Sequence, residues 1–181
     1  MICFTTPLCV ADIWQWTDGD GDGTLWLSDS IAQPNADLSG QVLWWADLPY
    51  ANLHHANLVN TDFSFANLYG ANFKIANLSF ANLFGADLEE SILAYASFYG
   101  ANLDSANIAE ANMFYADFSN ADLSNLENWD SAFWLAARYN ANTIFPDGMD
   151  PNDYAMIDIE VPAPATVLLL FGLIFLAKRK H

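Results

Sequence analysis

Between Ala36 and Asn125 the chain repeats small, polar and apolar positions in steps of five without a gap. Eighteen consecutive pentads carry an apolar residue at the third position in every case. The first position is Ala in 15 of them, with Gln41, Thr61 and Ser91 as exceptions. The second is Asn or Asp in 15, with Val42, Ile92 and Ser97 as exceptions. The last two positions vary freely. Neither common element accommodates this period. On an α-helix, residues five apart are rotated by about 500° and form no apolar stripe. On a flat strand they fall on alternating faces. A closed coil resolves the pattern if each pentad forms one side and then turns a corner. The predicted core ladder is Leu38, Leu43, Leu48, Leu53, Leu58, Phe63, Leu68, Phe73, Leu78, Leu83, Leu88, Leu93, Phe98, Leu103, Ile108, Met113, Phe118 and Leu123. The small first residues fit beside it, and the variable positions face solvent.

This Ala-(Asp/Asn)-Leu-x-x run, residues 36–125, resembles the pentapeptide-repeat proteins. The resemblance implies an all-β chain wound as a right-handed quadrilateral β-helix with four pentads per coil. Eighteen pentads then make about 4.5 coils, a rod roughly 20–25 Å long at about 4.8 Å per stacked strand. Each coil of a solenoid leans on its neighbours, so the ends need caps. After Asn125 the register breaks, because Asn128 falls where a Leu is due. Trp129, Phe133, Trp134 and Tyr139 follow, dense enough to cover an open core, so residues 126–145 are expected to cap the C-terminal end. At the other end residues 12–35 are expected to form an N-terminal cap from Ile13, Trp14, Trp16, Leu25, Trp26 and Leu27. Residues 146–160 hold five acids and two prolines and read as an acidic linker.

From Val161 to Ala177 there are 17 residues without a charge, followed by the basic cluster Lys178, Arg179 and Lys180. Seventeen helical residues reach roughly 25 Å, the lower limit for one short transmembrane helix. The alternative is an apolar helix packed on the domain. Val161, Pro162, Ala163 and Pro164, with the short span and the basic stop, make residues 161–181 similar to a PEP-CTERM sorting tail, although Ala163 stands where that motif has Glu. That similarity implies an exosortase-type processing enzyme as partner and insertion in the inner membrane. It places the protein as membrane-anchored before processing, then at the cell surface of a Gram-negative bacterium or secreted. Residues 1–11 have no basic n-region and read as a truncated signal remnant, with Cys9-Val10-Ala11 as the end of a cleavage site. Cys3 and Cys9 are the only cysteines and form no CxxC pair.

Charge narrows the function further. The chain has 22 acidic and 5 basic residues, and only Lys74 and Arg138 precede the terminal basic cluster. Such a surface repels nucleic acid and attracts cations or basic partners, so direct nucleic-acid binding is excluded. With 54% hydrophobic and 15% aromatic residues the chain is nonetheless a folded one. Asp18, Asp20, Asp22, Thr24 and Asp29 follow the spacing of a calcium loop, with Gly23 at the tight turn and Asp29 in place of the closing Glu. This predicts a weak calcium site; the alternative is a solvated acidic turn. At 20 residues per coil, Trp45 stacks with Phe65, and Tyr95 with Tyr115 beside Phe114 and close to Ile75. These are read as stabilising ladders before they are read as contact surfaces. His54 and His55 adjoin without a converging carboxylate or cysteine and read as ordinary exposed histidines. No phosphate loop, nucleophile elbow or Cys–His pairing occurs in the body, so no catalytic residue is expected. The expected protein is thus a non-enzymatic, exported structural or interaction rod with a basic or polysaccharide partner, and pairing of two rods as a homodimer is compatible with it. Two other readings are a cytoplasmic DNA-mimicking, topoisomerase-binding rod, implied by the pentapeptide resemblance, and a carbohydrate-binding surface module.

Overall fold

The computed structural model describes residues 33–160 and the backbone of Leu25–Trp26. Its architecture is a ladder of parallel bridges between residues 20 apart: Asp37 with Asn57, Val42 with Asp62, Asp47 with Asn67, Asn52 with Asn72, and onward to Asn107 with Glu127. Four successive second positions therefore lie on four sides of one coil, and every fourth pentad returns to the same side. The sides are numbered one to four from the pentads 36–40, 41–45, 46–50 and 51–55. Short strands mark the ends. Strand β1 (Leu25–Trp26) runs parallel to β2 (Ala46–Asp47), and β3 (Arg138–Tyr139) runs parallel to β4 (Ile157–Asp158).

A single pentad explains the residue choices. In Ala81–Gly85, the Ala81 N–H donates to Leu78 C=O at 3.0 Å and closes the corner. The Asn82 N–H donates to Thr61 C=O in the preceding coil at 2.9 Å, and the Leu83 N–H to Asn102 C=O in the following coil at 2.7 Å. The Gly85 N–H reaches Asp104 C=O at 3.0 Å. The remaining donor, the Phe84 N–H, bonds the side-chain Oδ1 of Asn82 at 3.3 Å. The second-position Asn or Asp is thus a turn acceptor, which is why an amide or carboxylate recurs there. The fifth residue must adopt a left-handed φ to turn the corner: +63° at Gly85, but also +61° at Ile75 and +59° at Trp45.

Inside, the third-position side chains from Leu38 to Leu123 form a continuous column in which none is more than 6% exposed. Phe98 and Phe118 stack at 4.9 Å and 8°, and Phe63 meets Phe73 edge-on at 6.2 Å. The buried first-position Ala residues leave room for this column. Where Thr replaces Ala, its hydroxyl finds a carbonyl: Thr61 donates to Leu38 C=O at 2.8 Å and Thr143 to Phe118 C=O at 2.9 Å.

The C-terminal end differs from the sequence expectation. Residues 126–145 carry the winding onward as a further coil, with bridges of Asn107 to Glu127, Asn112 to Phe133, Asp117 to Arg138 and Asp122 to Ile144. The spacing lengthens from 20 to 22 because single residues are inserted at corners. Trp134, Tyr139 and Phe145 occupy third positions; Trp134 is 2% exposed, and the other two pack against the core. Phe133, expected in the cap, instead points outward from a second position at 61% exposure. The segment 146–160, expected as a linker, is also structured. It forms a 3-10 helix, Pro151–Tyr154, whose N-cap Asp150 accepts from the Asn152 N–H at 2.9 Å, and then β4. Met149 and Met156 are buried, and Tyr154 meets Trp129 edge-on at 5.7 Å, so this segment covers the last coil.

The predicted signal remnant, the calcium-loop residues Asp18, Asp20, Asp22, Thr24 and Asp29, the motif Val161–Pro164, and Lys178, Arg179 and Lys180 lie outside the described residues. Among the described residues no helix is long and apolar enough to cross a membrane.

Candidate functional site

Folding modulo 20 sorts the charges sharply. Residues 33–160 contain 17 carboxylates and two cationic side chains, Lys74 and Arg138. Seven of the acids, from Asp47 to Asp130, lie on the third side and its corner. The fourth side, comprising pentads 51–55, 71–75, 91–95, 111–115 and 132–136, has none.

On the third side Asp47, Asp87 and Glu127 alternate with Asn67 and Asn107 up the ladder. Asn67 Nδ2 donates to Asp47 Oδ1 at 2.7 Å, and Asn107 Nδ2 donates to Asp87 Oδ1 at 3.1 Å and to Glu89 Oε2 at 3.2 Å. Interposed amides keep like charges on this ladder about 10 Å apart, close to one screening length in physiological salt. They also orient the Asp47 and Asp87 carboxylates. Glu89, Glu90 and Glu110 crowd the adjoining corner. Hydrogen bonding to Glu90, then burial, pushes the Tyr69 phenol well above its usual range. On the first side, Asp37 sits below the usual carboxylate range because the Ser39 hydroxyl and N–H donate to it. Arg138 approaches Asp117 at 4.0 Å in an exposed pair of little energetic weight.

The corners hold aromatic clusters that the five-residue reading only partly anticipated. Trp45 stacks on Phe65 at 4.9 Å and Tyr95 on Tyr115 at 5.2 Å, as 20-residue coils predict. A second relation was missed. Tyr50, Phe65, Phe80 and Tyr95 each meet edge-on an aromatic ring 19 residues later, Tyr69, Phe84, Tyr99 and Phe114. The first three rings also lie against the glycine that follows, Gly70, Gly85 and Gly100, where a Cβ would come within 2.7 to 2.9 Å of ring carbons. The signal was legible as Tyr-Gly, Phe-Gly, Tyr-Gly and Phe-Tyr at 69, 84, 99 and 114, a 15-residue recurrence laid over 20-residue coils. Each recurrence therefore moves back one corner, and the clusters wind around the rod. A consequence is that Gly85→Ala destabilises by about 1–3 kcal/mol, from the left-handed φ plus ring displacement. In a Phe65→Ala background only about 1 kcal/mol remains. A denaturant double-mutant cycle measures the difference, and zero coupling would remove the ring-over-glycine contact.

His54 and His55 meet edge-on at 4.1 Å. Burial first, then the neighbouring charges of His55 and Lys74, hold His54 below the usual imidazole range. Among the described residues no group of three or more His, Cys, Asp or Glu side chains could hold a metal ion.

Comparison with known proteins agrees with this geometry. The family described as Pentapeptide repeats (8 copies) matches residues 35–74, 76–108 and 100–125. No curated protein matches the chain. Among solved structures, the chain is similar to the pentapeptide repeat protein Rfr23 of the cyanobacterium Cyanothece 51142, at 25% identity and TM-score 0.52, over 60% of this chain and 90% of that one. It is also similar to a pentapeptide repeat protein of Nostoc Pcc 7120, at 28% identity and TM-score 0.31, over 64% and 83% of the two chains. A third match is a pentapeptide repeat protein of the Arabidopsis thaliana thylakoid lumen, at 24% identity and TM-score 0.28, over 71% and 79%. The expected localisation, a membrane-anchored precursor later exposed at a Gram-negative cell surface or secreted, is corrected by these results. Among the described residues no helix is long and apolar enough to cross a membrane.

Proposed function

We propose, for a chain that belongs to the pentapeptide-repeat proteins, a non-enzymatic role as an interaction rod whose acidic third side docks a protein partner through that partner's cationic surface. One observation carries the reading: seven carboxylates gather on one side and its corner, with Asp47 and Asp87 oriented by Asn amides, while another side has none. Net charge alone would spread acids evenly. Carboxylates already oriented by amides, Asp47, Asp87 and Glu89, suit a basic groove, because little of their side-chain freedom is lost on docking. A groove that normally takes nucleic acid is a partner of this chemistry, so the duplex-mimic reading falls within the proposal. A glycan platform is less well supported, since Trp45–Phe65 and Tyr95–Tyr115 cover one another's ring faces instead of offering them.

The test titrates the full chain against a fluorescent Lys/Arg-rich peptide at physiological salt. Combining Asp87→Asn, Glu89→Gln, Glu90→Gln and Glu110→Gln is expected to weaken binding at least about tenfold. Neutralising as many acids elsewhere, Asp37→Asn, Asp62→Asn, Asp104→Asn and Asp117→Asn, is expected to weaken it by no more than about twofold. Equal losses from both sets would mean that only net charge matters, and the docking strip would be abandoned.

A further inference from the structure

The acid-free fourth side carries exposed apolar residues where the pentad chemistry favours others. Ile92, 40% exposed, stands at a second position and offers no side-chain oxygen to the Ala94 N–H, the bond that Asn72 and Asn112 make on the same side at 3.1 Å. Phe133 occupies the equivalent place two coils further on, at 61% exposure. Ile75 is β-branched yet holds φ +61° at a corner, and it is 42% exposed. A β-branched side chain is strained in that region, where Gly or Asn would sit at ease. Each of these choices costs the isolated rod a hydrogen bond, strain or exposed apolar area and gains it no burial. Together with Tyr95 and Leu135 they give this side exposed apolar residues in three of its five pentads, on the side whose pentads carry no carboxylate.

We infer that the fourth side is a self-association surface whose occupant is the fourth side of a second copy of this chain. This inference is independent of the partner-docking reading, which uses the third side. Electrostatics identifies the occupant. Two chains this acidic repel unless they meet where carboxylates are missing, and the fourth side is where the described rod lacks them. The borders of the strip also select the arrangement. One border is the third corner, with Glu90 and Glu110 exposed; the other is the fourth corner, next to exposed Lys74. Antiparallel two-fold packing would set the acidic borders of the two copies against each other. Parallel two-fold packing sets each acidic border against the partner's fourth corner, bringing Lys74 of one copy towards Glu90 of the other, less than one coil apart in height. From Ile75 to Leu135 the strip climbs three coils, about 15 Å, the size of a weak and reversible interface.

Sedimentation equilibrium of the full chain tests this, with circular dichroism melting as the check on folding. The parent is expected to dimerise in the micromolar range. Ile92→Asn with Tyr95→Asn places residues that other sides already carry at these positions, so the fold is kept, while dimer dissociation rises at least about tenfold. Val42→Asn, an equally outward second position on the second side, leaves association unchanged. Lys74→Glu weakens pairing, and adding Glu90→Lys restores it. A parent that stays monomeric up to about 0.1 mM, or a dimer undiminished by the double Asn variant, overturns the surface. Failure of Glu90→Lys to restore pairing overturns the parallel arrangement.

Discussion

Leu83→Asp is expected to abolish cooperative folding of the repeat region. Leu83 is fully buried, in the third-position column between Phe63 and Leu103 of the adjoining coils, which are equally buried. All backbone donors of its pentad are already engaged, so no N–H is left for a carboxylate there. An unpaired buried charge of this kind costs several kcal/mol, and neutralising it by protonation still leaves a polar group without partners. The expected loss exceeds about 5 kcal/mol, comparable with the entire stability of an ordinary domain. A solenoid transmits the damage, because each coil is stabilised chiefly by the coils on either side. Phe84→Asp one position later is the matched control: Asp104 stands at the equivalent place in the next coil, and the expected cost is about 1 kcal/mol. Thermal melts followed by circular dichroism separate the two. A Leu83→Asp chain that melted like its parent would refute the inward column and with it the quadrilateral winding.

That column was legible in the sequence because one physical demand acts at every step. A closed coil with no room for a second apolar layer needs one inward side chain per pentad, so the third position cannot drift. The Asn/Asp at the second position was visible as a pattern but not as a cause. Its role as acceptor for the fourth N–H emerges only from geometry, as at Asn82 and Phe84. The end of the rod was misread for a related reason. Asn128 at a third position and single-residue insertions at corners break the count of five, yet the demand persists. Ala132 with Trp134, Ala137 with Tyr139, and Thr143 with Phe145 remain small-then-apolar pairs at the same internal spacing. A template that tolerated one inserted corner residue would have followed the coil to Phe145. Corners absorb insertions easily, because they face solvent and are not stacked in the core.

The surface was harder to read, and the reason is again periodic. Five-residue registers align the core, but neighbours on the outside are 20 residues apart, so charges far apart in sequence stand side by side. Asp47, Asp87 and Glu127 look unrelated along the chain and become one ladder when it is wound. The acid-free fourth side is likewise invisible until the pentads 51–55, 71–75, 91–95, 111–115 and 132–136 are set above one another. Ile92, which breaks the second-position rule, then stands two coils from Phe133 on that side.

Trp134→Ala tests the reassigned end of the rod and is expected to destabilise the protein by about 3–5 kcal/mol. The Trp134 ring lies 5.4 Å from Phe118, tilted by 59°, and its Nε1–H donates to Trp129 C=O at 2.9 Å. It is 2% exposed, so truncation opens a large cavity at the last turn of the core. That turn also anchors the closing segment, where the Ala136 N–H donates to Ala155 C=O at 3.0 Å and the Ile157 N–H to Ala137 C=O at 2.8 Å. Losing it exposes the apolar end of the column and lets the terminal coil fray, so amide hydrogen exchange should accelerate first between residues 117 and 158. Phe133→Ala, one residue away but outward-facing, is expected to change stability by less than about 0.5 kcal/mol. Denaturant titration of both variants decides between two pictures of residues 126–145. A wide gap between the variants is what one more wound coil demands. Similar small effects from both would mean that the segment merely drapes over the end, and the winding would stop at Asn125 after all.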